Sequence, residues 1–412
     1  MALPTSRPAQ DWRVLVAVFW VVAMVEGLGV AQIFAFVPVY LREMGVDRAD
    51  RLTFVALFSA LIFVVGAPLV PLWGVWADKY SRKAVIVRSC LVEAVVFGLA
   101  AIAREPWQLA VAMLLIGFQL GNTGVMLAGI RDVTPLPRLG VTIAIFGAAS
   151  PIGFAIGPAL GGLFVDGLGV SLSAVFGFSA LLSVGTALLV TFGSREVRPE
   201  VIPEGSVVSL AFGALRGVLA DPVVRRIFAI FGFAFLATQM TRPFVPLLVE
   251  GVVGIGPGLA SSIALVAGTA ALIGALISPL GGAIGDRIGF RPVLIAALLG
   301  GSAALLLMPL VGRLDGLAFA AVVLGMSTAA VSAMIFGMLA RDVAPERRSA
   351  TLNLVYLPLY AAGIVGPVVG GVVVTTGGIT ALFVAGSAVF LGGAVAIVLL
   401  GRSRAAEVPI TG

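Results

Sequence analysis

The chain reads GVWADKYSRK from Gly74 to Lys83 and, 208 residues later, GAIGDRIGFR from Gly282 to Arg291. The tripeptide Phe-Val-Pro recurs at the same offset, at Phe36–Pro38 and again at Phe244–Pro246. A duplication this long, in an apolar chain, is typical of membrane proteins whose halves are related by a pseudo-two-fold axis. The sequence therefore predicts one structural module present twice.

Composition indicates the class of protein. The 412 residues are 60% hydrophobic and 11% charged, whereas soluble domains carry roughly 25% charged residues. Apolar stretches of about 20 residues, long enough to span a hydrocarbon core of about 30 Å, recur between short polar clusters, and they are too evenly apolar for alternating barrel strands. We expect an all-α integral membrane protein of two pseudo-symmetric six-helix bundles. The twelve transmembrane helices are placed near residues 14–42, 53–74, 84–103, 108–130, 140–164, 172–193, 226–249, 260–281, 292–312, 317–339, 350–374 and 380–400.

These spans predict the organisation and the orientation of the chain. We expect a first bundle over residues 1–193, a cytoplasmic linker over 194–225, and a second bundle with a short cytoplasmic tail over 226–412. Under this assignment, 19 of the 26 Lys and Arg residues fall on the side that holds both termini. Positive charge is enriched in cytoplasmic loops, so we expect a multi-pass protein of the bacterial cytoplasmic membrane with both termini inside. The same bias explains the net charge of +6 without a nucleic-acid partner.

Six spans, a linker and six more spans, with a charged loop after the second span of each half, resemble the major facilitator superfamily. The loop of that family runs roughly Gly-x-x-x-Asp-Arg-x-Gly-Arg-Arg. Ser81 replaces a glycine in the first copy here, and Phe290 replaces an arginine in the second. The resemblance implies a transporter that works by alternating access.

A second motif, in the fifth span, is similar to one associated with proton-coupled drug exporters of this superfamily. It consists of Gly153, Gly157, Pro158, Gly161 and Gly162. Glycines four residues apart let two helix backbones approach closely, and the missing amide hydrogen of proline lets a helix bend. The alternative is ordinary tight packing, since glycine-rich spans are common in membrane bundles. The arginine that such antiporters carry in the fourth span is absent, and Gly117 stands in its place.

Charges that occur in both halves are expected to serve machinery that each half needs. Asp78 corresponds to Asp286 in the repeat, and Asp132 corresponds to Asp342. We interpret the surrounding residues as a cytoplasmic latch. It comprises Gly74, Asp78, Arg82, Asp132, Asp286, Arg287 and Asp342. By resemblance, the first-half residues would hold the cytoplasmic side shut in the outward-open state; the alternative is a static staple of the loops.

Charges that occur in one half only break the symmetry of the repeat, and we interpret them as candidates for a specific function. Glu26 lies midway along the first span and its counterpart is Ala234. A carboxylate at that depth costs roughly 2.5 to 3.5 kcal/mol and usually faces a polar cavity or binds a proton. Glu26 and Glu93, in the third span, are therefore the candidates for proton coupling, the alternative being a hydrogen bond that serves packing. Arg88 is expected to extend to the cytoplasmic surface.

The spans expected to line a central cavity offer an apolar, aromatic wall with few polar groups. The candidates are Gln32, Phe34, Phe118, Gln119, Asn122, Phe235, Gln239, Arg242, Phe336 and Tyr356. Such a wall favours lipophilic compounds and, through ring contacts, cationic ones. Three roles are open for Arg242, which could balance Glu26, contact an anionic substrate or reach the external headgroups.

The chain contains no histidine and no Gly-x4-Gly-Lys-Ser/Thr loop, so neither a metal centre, a Ser-His-Asp triad nor ATP hydrolysis is expected. We expect no enzyme activity and no cofactor. The leading hypothesis is a monomeric secondary active transporter in the lipid bilayer that exports lipophilic, drug-like small molecules in exchange for protons. The alternatives are a facilitator or proton-coupled carrier of a small metabolite and, more remotely, a membrane receptor or scaffold that does not transport.

Overall fold

The computed structural model describes residues 11–199, 202–343 and 354–406, and almost all of them are helical. The helices up to the middle of the chain are α1 Trp12–Glu43, α2 Arg48–Lys79, α3 Arg82–Ile102, α4 Pro106–Leu115, α5 Asn122–Val133, α6 Leu136–Gly162, α7 Leu172–Gly193 and α8 Val207–Ala220. Those that follow are α9 Pro222–Thr241, α10 Val245–Val253, α11 Leu259–Ile288, α12 Phe290–Leu307, α13 Leu314–Asp342 and α14 Leu357–Ala406.

Eleven helical segments in the described part of the chain are long and apolar enough to cross a membrane. The last of them, α14, has 50 residues and would be about 75 Å long if straight, more than twice the thickness of a hydrocarbon core. Gly378 interrupts it with φ 80° and ψ 176°, between the predicted spans 350–374 and 380–400. Counted as two spans, α14 brings the total to twelve and confirms the predicted all-α membrane fold. Residues 350–353 of the eleventh predicted span lie outside the described residues.

Several helices begin directly after a capping side chain. The side chains of Asp47, Ser81, Ser171 and Asp221 each accept a hydrogen bond from a backbone amide in the first turn of α2, α3, α7 and α9, which satisfies amides that lack a partner within the helix. In the fourth span, Gly121 adopts φ 99° and separates α4 from α5.

Close helix pairs build each half, and two further pairs join the halves. In the first half α1 packs on α6 and α3 on α7, whereas in the second α9 packs on α14 and α11 on α13. The halves meet where α6 packs on α11 and α2 on α14.

We name the two ends of the bundle by residues that lie there. The motif side is the end that carries Asp78, Arg82 and Asp132, and the Glu250 side is the opposite end, where α1 ends, α2 begins and Glu250 lies near the end of α10. The helix α8, in the predicted linker, packs against α2, and the Lys79 side chain donates a hydrogen bond to the Gly205 carbonyl just before it.

Candidate functional site

Glu26 lies in a polar cluster inside the first half. Its carboxylate accepts hydrogen bonds from Ser89 Oγ, at 3.2 Å, and from the side-chain amide of Asn122. Ser89 is also within 2.7 Å of the Gln119 carbonyl. All four residues are buried, so Asn122 and Gln119, which we predicted on the cavity wall, belong to the surroundings of this acid.

Glu93 lies one helical turn after Ser89 on α3 and is fully buried. Neither of its carboxylate oxygens has a hydrogen-bond partner among the described residues. A Cβ placed at Gly29 on α1 would come within 2.7 Å of Glu93 Oε1, so the acid faces the helix that carries Glu26. The structure therefore places both candidate proton residues between α1 and α3.

The prediction that Arg88 extends to the membrane surface is wrong. Its guanidinium lies 3.8 Å from the centre of the Trp73 ring and donates to the carbonyls of Gln119 and Leu120, at 3.3 and 3.4 Å. These carbonyls are freed where the fourth span is interrupted before Gly121, and they hold the arginine inside the bundle.

The latch residues of the first half form an ion-pair network. Arg82 is buried and pairs with Asp78 at 2.8 Å and with Asp132 at 2.7 Å. These contacts join α2, α3 and α5 of the same half. Gly74 has open space around its Cβ position, so packing does not require a glycine there.

The second copy of the latch does not form the same network. Asp286 and Arg287 are exposed, and within the described residues neither takes part in a salt bridge. The reason is that Phe290 stands where Arg82 stands in the first half. The side chain of Asp342 lies outside the described residues.

A charged contact that we did not predict closes the Glu250 side. Arg51 donates two hydrogen bonds to the Glu250 carboxylate, both at 3.1 Å, and Arg42 donates a third at 3.4 Å. Arg42 and Arg51 belong to α1 and α2, and Glu250 belongs to α10, so this cluster bridges the halves. A signal was present in the sequence, because Arg42 and Glu250 are 208 residues apart and carry opposite charges at equivalent positions of the repeat.

The glycine motif of α6 sits at two helix contacts. A Cβ added at Gly153 or Gly157 would overlap the carbonyls of Met24 and Leu28 on α1. One added at Gly161 would overlap the Phe36 ring, and one at Gly162 would lie 3.0 Å from the Ser261 Cα on α11. The motif therefore permits close approach both within the first half and between the halves; Pro158 lies buried among these glycines.

Two predicted cavity residues are engaged in packing instead. Gln32 is fully buried; its side-chain amide donates to the Gly157 carbonyl at 3.3 Å, and its oxygen accepts from Ser179 Oγ at 2.5 Å. Gln239 is buried where α9 meets α14, with its Cβ 3.0 Å from a Cβ placed at Gly366. The polar groups of Gln32 are thus engaged by α6 and α7, and Gln239 lies where α9 and α14 approach closely.

A row of aromatic rings lies between the halves. Phe336, Tyr356, Tyr360 and Phe63 form a row with successive ring centres 6.1, 6.4 and 6.1 Å apart, and only Phe63 belongs to the first half. Of the other aromatic candidates, Phe235 packs edge-on against Phe231 at 4.6 Å, and Phe118 is 39% exposed.

Arg242 reaches from the second half into the first. Its guanidinium lies 3.8 Å from the centre of the Phe34 ring and 5.7 Å from that of Phe154. Its Nε has no hydrogen-bond partner among the described residues. The side chain thus lies over aromatic rings and does not extend to the headgroups or to Glu26.

Comparison with known proteins identifies similar chains over most of this length. The family model described as Major Facilitator Superfamily matches residues 19–274 and 227–412. The chain is 26% identical over 379 residues to Multidrug resistance protein MdtG of Proteus mirabilis (strain HI4320), covering 90% of this chain and 92% of that protein. It is 30% identical over 312 residues to the protein of the same name from Citrobacter koseri (strain ATCC BAA-895 / CDC 4225-83 / SGSC4696), covering 74% of each. Among solved structures, a bacterial homologue of the human lysosomal transporter Spinster, in an inward-facing and occupied conformation, has a TM-score of 0.76 at 15% identity and covers 96% of this chain and 98% of its own.

Proposed function

Given that this chain belongs to the Major Facilitator Superfamily of secondary transporters, we propose that it exports lipophilic, drug-like compounds in exchange for protons. The proposal is supported by relatives that are named multidrug resistance proteins. The observation that carries it is the buried carboxyl of Glu26, held by Ser89 and Asn122 in the middle of a membrane span.

Glu26 is the proposed proton site, and Glu93 is its partner. Two carboxylates this deep in a membrane protein cannot both be charged at low cost. Ser89 lies one helical turn before Glu93 on α3 and its hydroxyl contacts Glu26, so we place proton exchange at this cluster, at the stage of the cycle when water reaches it. Arg88 is held away by Trp73 and by backbone carbonyls, so it does not make a direct ion pair with Glu26.

Alternating access is proposed to occur by rocking of residues 1–193 against residues 226–412. The structure is held together on the Glu250 side by Arg42, Arg51 and Glu250. Opening that side requires this cluster to separate, and the contacts of α6 with α11 and of α2 with α14 to slide. The small residues at these contacts, Gly162 among them, suit such movement because they do not interlock.

The motif side is proposed to face the cytoplasm, in a bacterial inner membrane, because most of the lysines and arginines lie at that end. We assign both termini to the same side and take the transporter to act as a monomer. The substrate would meet the aromatic row of Phe336, Tyr356 and Tyr360 and the ring of Phe34, surfaces that suit lipophilic molecules.

The test is efflux of a lipophilic cationic dye from reconstituted vesicles under an imposed pH gradient. The native chain should transport, and Glu26→Gln should abolish the dependence on the gradient. Glu204→Gln, which makes the same change on an exposed residue, is the matched control and should transport like the native chain. Gradient-driven transport that survives in both Glu26→Gln and Glu93→Gln would refute the proton site, and flux independent of pH would instead identify a facilitator.

A further inference from the structure

Arg88 is a cation inside the first half that the proposed transport cycle does not use. Its Nη2 donates to the carbonyls of Gln119 and Leu120, at 3.3 and 3.4 Å, and its guanidinium lies over the Trp73 ring. Its Nε and Nη1 are buried without a hydrogen-bond partner, and no carboxylate of the described residues forms a salt bridge with it. Within the described part of the chain, the two carbonyls therefore make its polar contacts.

The Gln119 carbonyl is shared by two neighbouring residues of α3. Arg88 reaches it at 3.3 Å, and the hydroxyl of Ser89 reaches it at 2.7 Å. This acceptor is available because the fourth span is interrupted, since α4 ends at Leu115 and Gly121 adopts φ 99° before α5 begins. The interruption thus places one backbone carbonyl in front of both side chains.

The same hydroxyl also contacts Glu26. Ser89 Oγ lies 3.2 Å from Glu26 Oε1, but a hydroxyl has one hydrogen, which cannot serve both acceptors equally well. When Glu26 is ionised, the hydrogen turns to the carboxylate, because hydrogen bonds to charged acceptors are the stronger ones. When Glu26 is protonated, its own O–H donates to Ser89 Oγ, and the serine hydrogen turns to the Gln119 carbonyl. The orientation of the Ser89 hydroxyl therefore follows the protonation of Glu26.

Arg88 determines how readily the serine turns to the acid. While Arg88 donates to the Gln119 carbonyl, this acceptor is satisfied without the serine, so ionisation of Glu26 leaves it paired. Without Arg88, the carbonyl would lose its partner whenever the serine turned to Glu26, and an unpaired buried acceptor is costly. The contact thus favours the ionised form of Glu26, in the same direction as the positive charge of the arginine does.

Other ionisable groups also lie within electrostatic reach of Glu26. They are Glu93 and Cys90 on α3 and Tyr360 on α14. The other charged residues of α1, α2, α5 and α6 lie near the ends of these helices, and α7 has none. Among the described residues, Arg88 is therefore the cation that acts on this acid.

We propose that Arg88 is a positioning residue of the proton site: by occupying the Gln119 carbonyl, it frees the Ser89 hydroxyl to hold the ionised Glu26. The proton itself passes from the Glu26 carboxyl to water, whereas the serine keeps its hydrogen and only rotates. This role rests on the proposed function, in which Glu26 releases a proton in each cycle. The interrupted fourth span then contributes to proton release, because it supplies the shared carbonyl.

The test follows the protonation of Glu26 directly, by infrared titration of the purified full chain in lipid vesicles. The C=O band of a protonated carboxyl that is absent in Glu26→Gln reports on this residue, and its loss with rising pH gives a midpoint. Arg88→Met removes the donors and keeps an apolar side chain against Trp73. It should raise the midpoint by about one pH unit, since a hydrogen bond to a charged group changes an equilibrium about tenfold.

Arg104→Met is the matched control, because it makes the same change at an exposed residue just after α3, and it should keep the native midpoint. Arg88→Lys, which retains a cationic donor, should also stay close to the native value. Ser89→Ala should raise the midpoint as Arg88→Met does. The two changes together should raise it by much less than the sum, because both remove the same donor from Glu26.

A native midpoint in Arg88→Met would overturn the role of the arginine, and additive shifts of Arg88→Met and Ser89→Ala would show that it acts by charge alone and not through the serine. Ser89→Ala also covers the case in which Arg88→Met does not fold, since an unchanged midpoint in Ser89→Ala overturns the proposal by itself. The titration is separate from transport: dye efflux that does not respond to Glu26→Gln refutes proton coupling, whereas the absence of any titrating band that depends on Glu26 overturns both proposals.

Discussion

Arg42 and Glu250 occupy the same position in the two halves of the repeat, 208 residues apart, and they meet at 3.4 Å across the interface between the halves. A pseudo-two-fold axis brings equivalent positions together wherever it passes close to them. Opposite charges at such a position attract, whereas a strictly duplicated residue would face its own copy. The divergence of the two halves has thus produced a contact that closes one side of the transporter.

Removing the acid from this contact should open the Glu250 side. In Glu250→Gln, Arg51, which is 4% exposed, loses its charged partner, and we expect a stability loss of about 2–3 kcal/mol. A cysteine introduced at Ala264, which packs at the contact of α6 with α11, should then react faster with a membrane-impermeant thiol reagent. The combined exchange Arg51→Glu/Glu250→Arg should restore the slow reaction; equal rates in the native and Glu250→Gln backgrounds would show that the cluster does not hold this side.

A side chain at Gly153 should disrupt the pairing of α1 with α6. Its Cβ would overlap the backbone carbonyl of Met24, which cannot move without displacing α1, so Gly153→Ala should lower stability by about 1–3 kcal/mol. Gly147→Ala is the control on the same helix, since nothing lies within 4 Å of its Cβ position. Thermal unfolding of the two variants provides the comparison, and similar midpoints would contradict the overlap.

Loss of Arg82 should lower stability more than loss of Arg287, an arginine of the second copy of the loop motif. Arg82→Met removes the cation that Asp78 and Asp132 share, while Asp132 keeps its contact with Arg131 at 3.1 Å. We expect a loss of about 2 kcal/mol, less than for a fully buried pair because Asp78 is partly exposed. Arg287→Met, at an exposed residue, should change stability by less than about 0.5 kcal/mol. Unfolding midpoints and transport rates of both variants test this difference, and equal effects would argue against a special role for the first-half network.

The contact of Arg242 with Phe34 should couple the two halves. A desolvated cation over a ring is stabilising by about 2 kcal/mol, so Arg242→Gln and Phe34→Leu should each lower stability. Together they should cost less than the sum of the single changes, because either change removes the same interaction. A double-mutant cycle of unfolding free energies measures the coupling, and strictly additive losses would show that the cation and the ring act independently.

Apolar runs, their lengths and the internal repeat were enough to predict the twelve spans and the two related halves, because membrane insertion and backbone hydrogen bonding depend on each segment alone. The family was predicted from the resemblance of the charged loops at Gly74–Lys83 and Gly282–Arg291 to its loop motif. Glu26 and Glu93 also stood out in sequence, since a charge inside an apolar span is conspicuous whatever its neighbours. Their assignment as proton sites stays a prediction.

Which face of each helix meets which neighbour was decided only by the tertiary structure. Helices that are apolar all round carry no polar stripe that marks an inner face, so the burial of Gln32 against α6 and α7, the enclosure of Arg88 by Trp73 and the meeting of Arg51 with Glu250 could not be inferred from spacing. These contacts join residues far apart in sequence, and they depend on how closely glycines such as Gly153 and Gly157 let the helices approach. The sequence by itself determined what crosses the membrane; packing determined which polar groups find one another inside it.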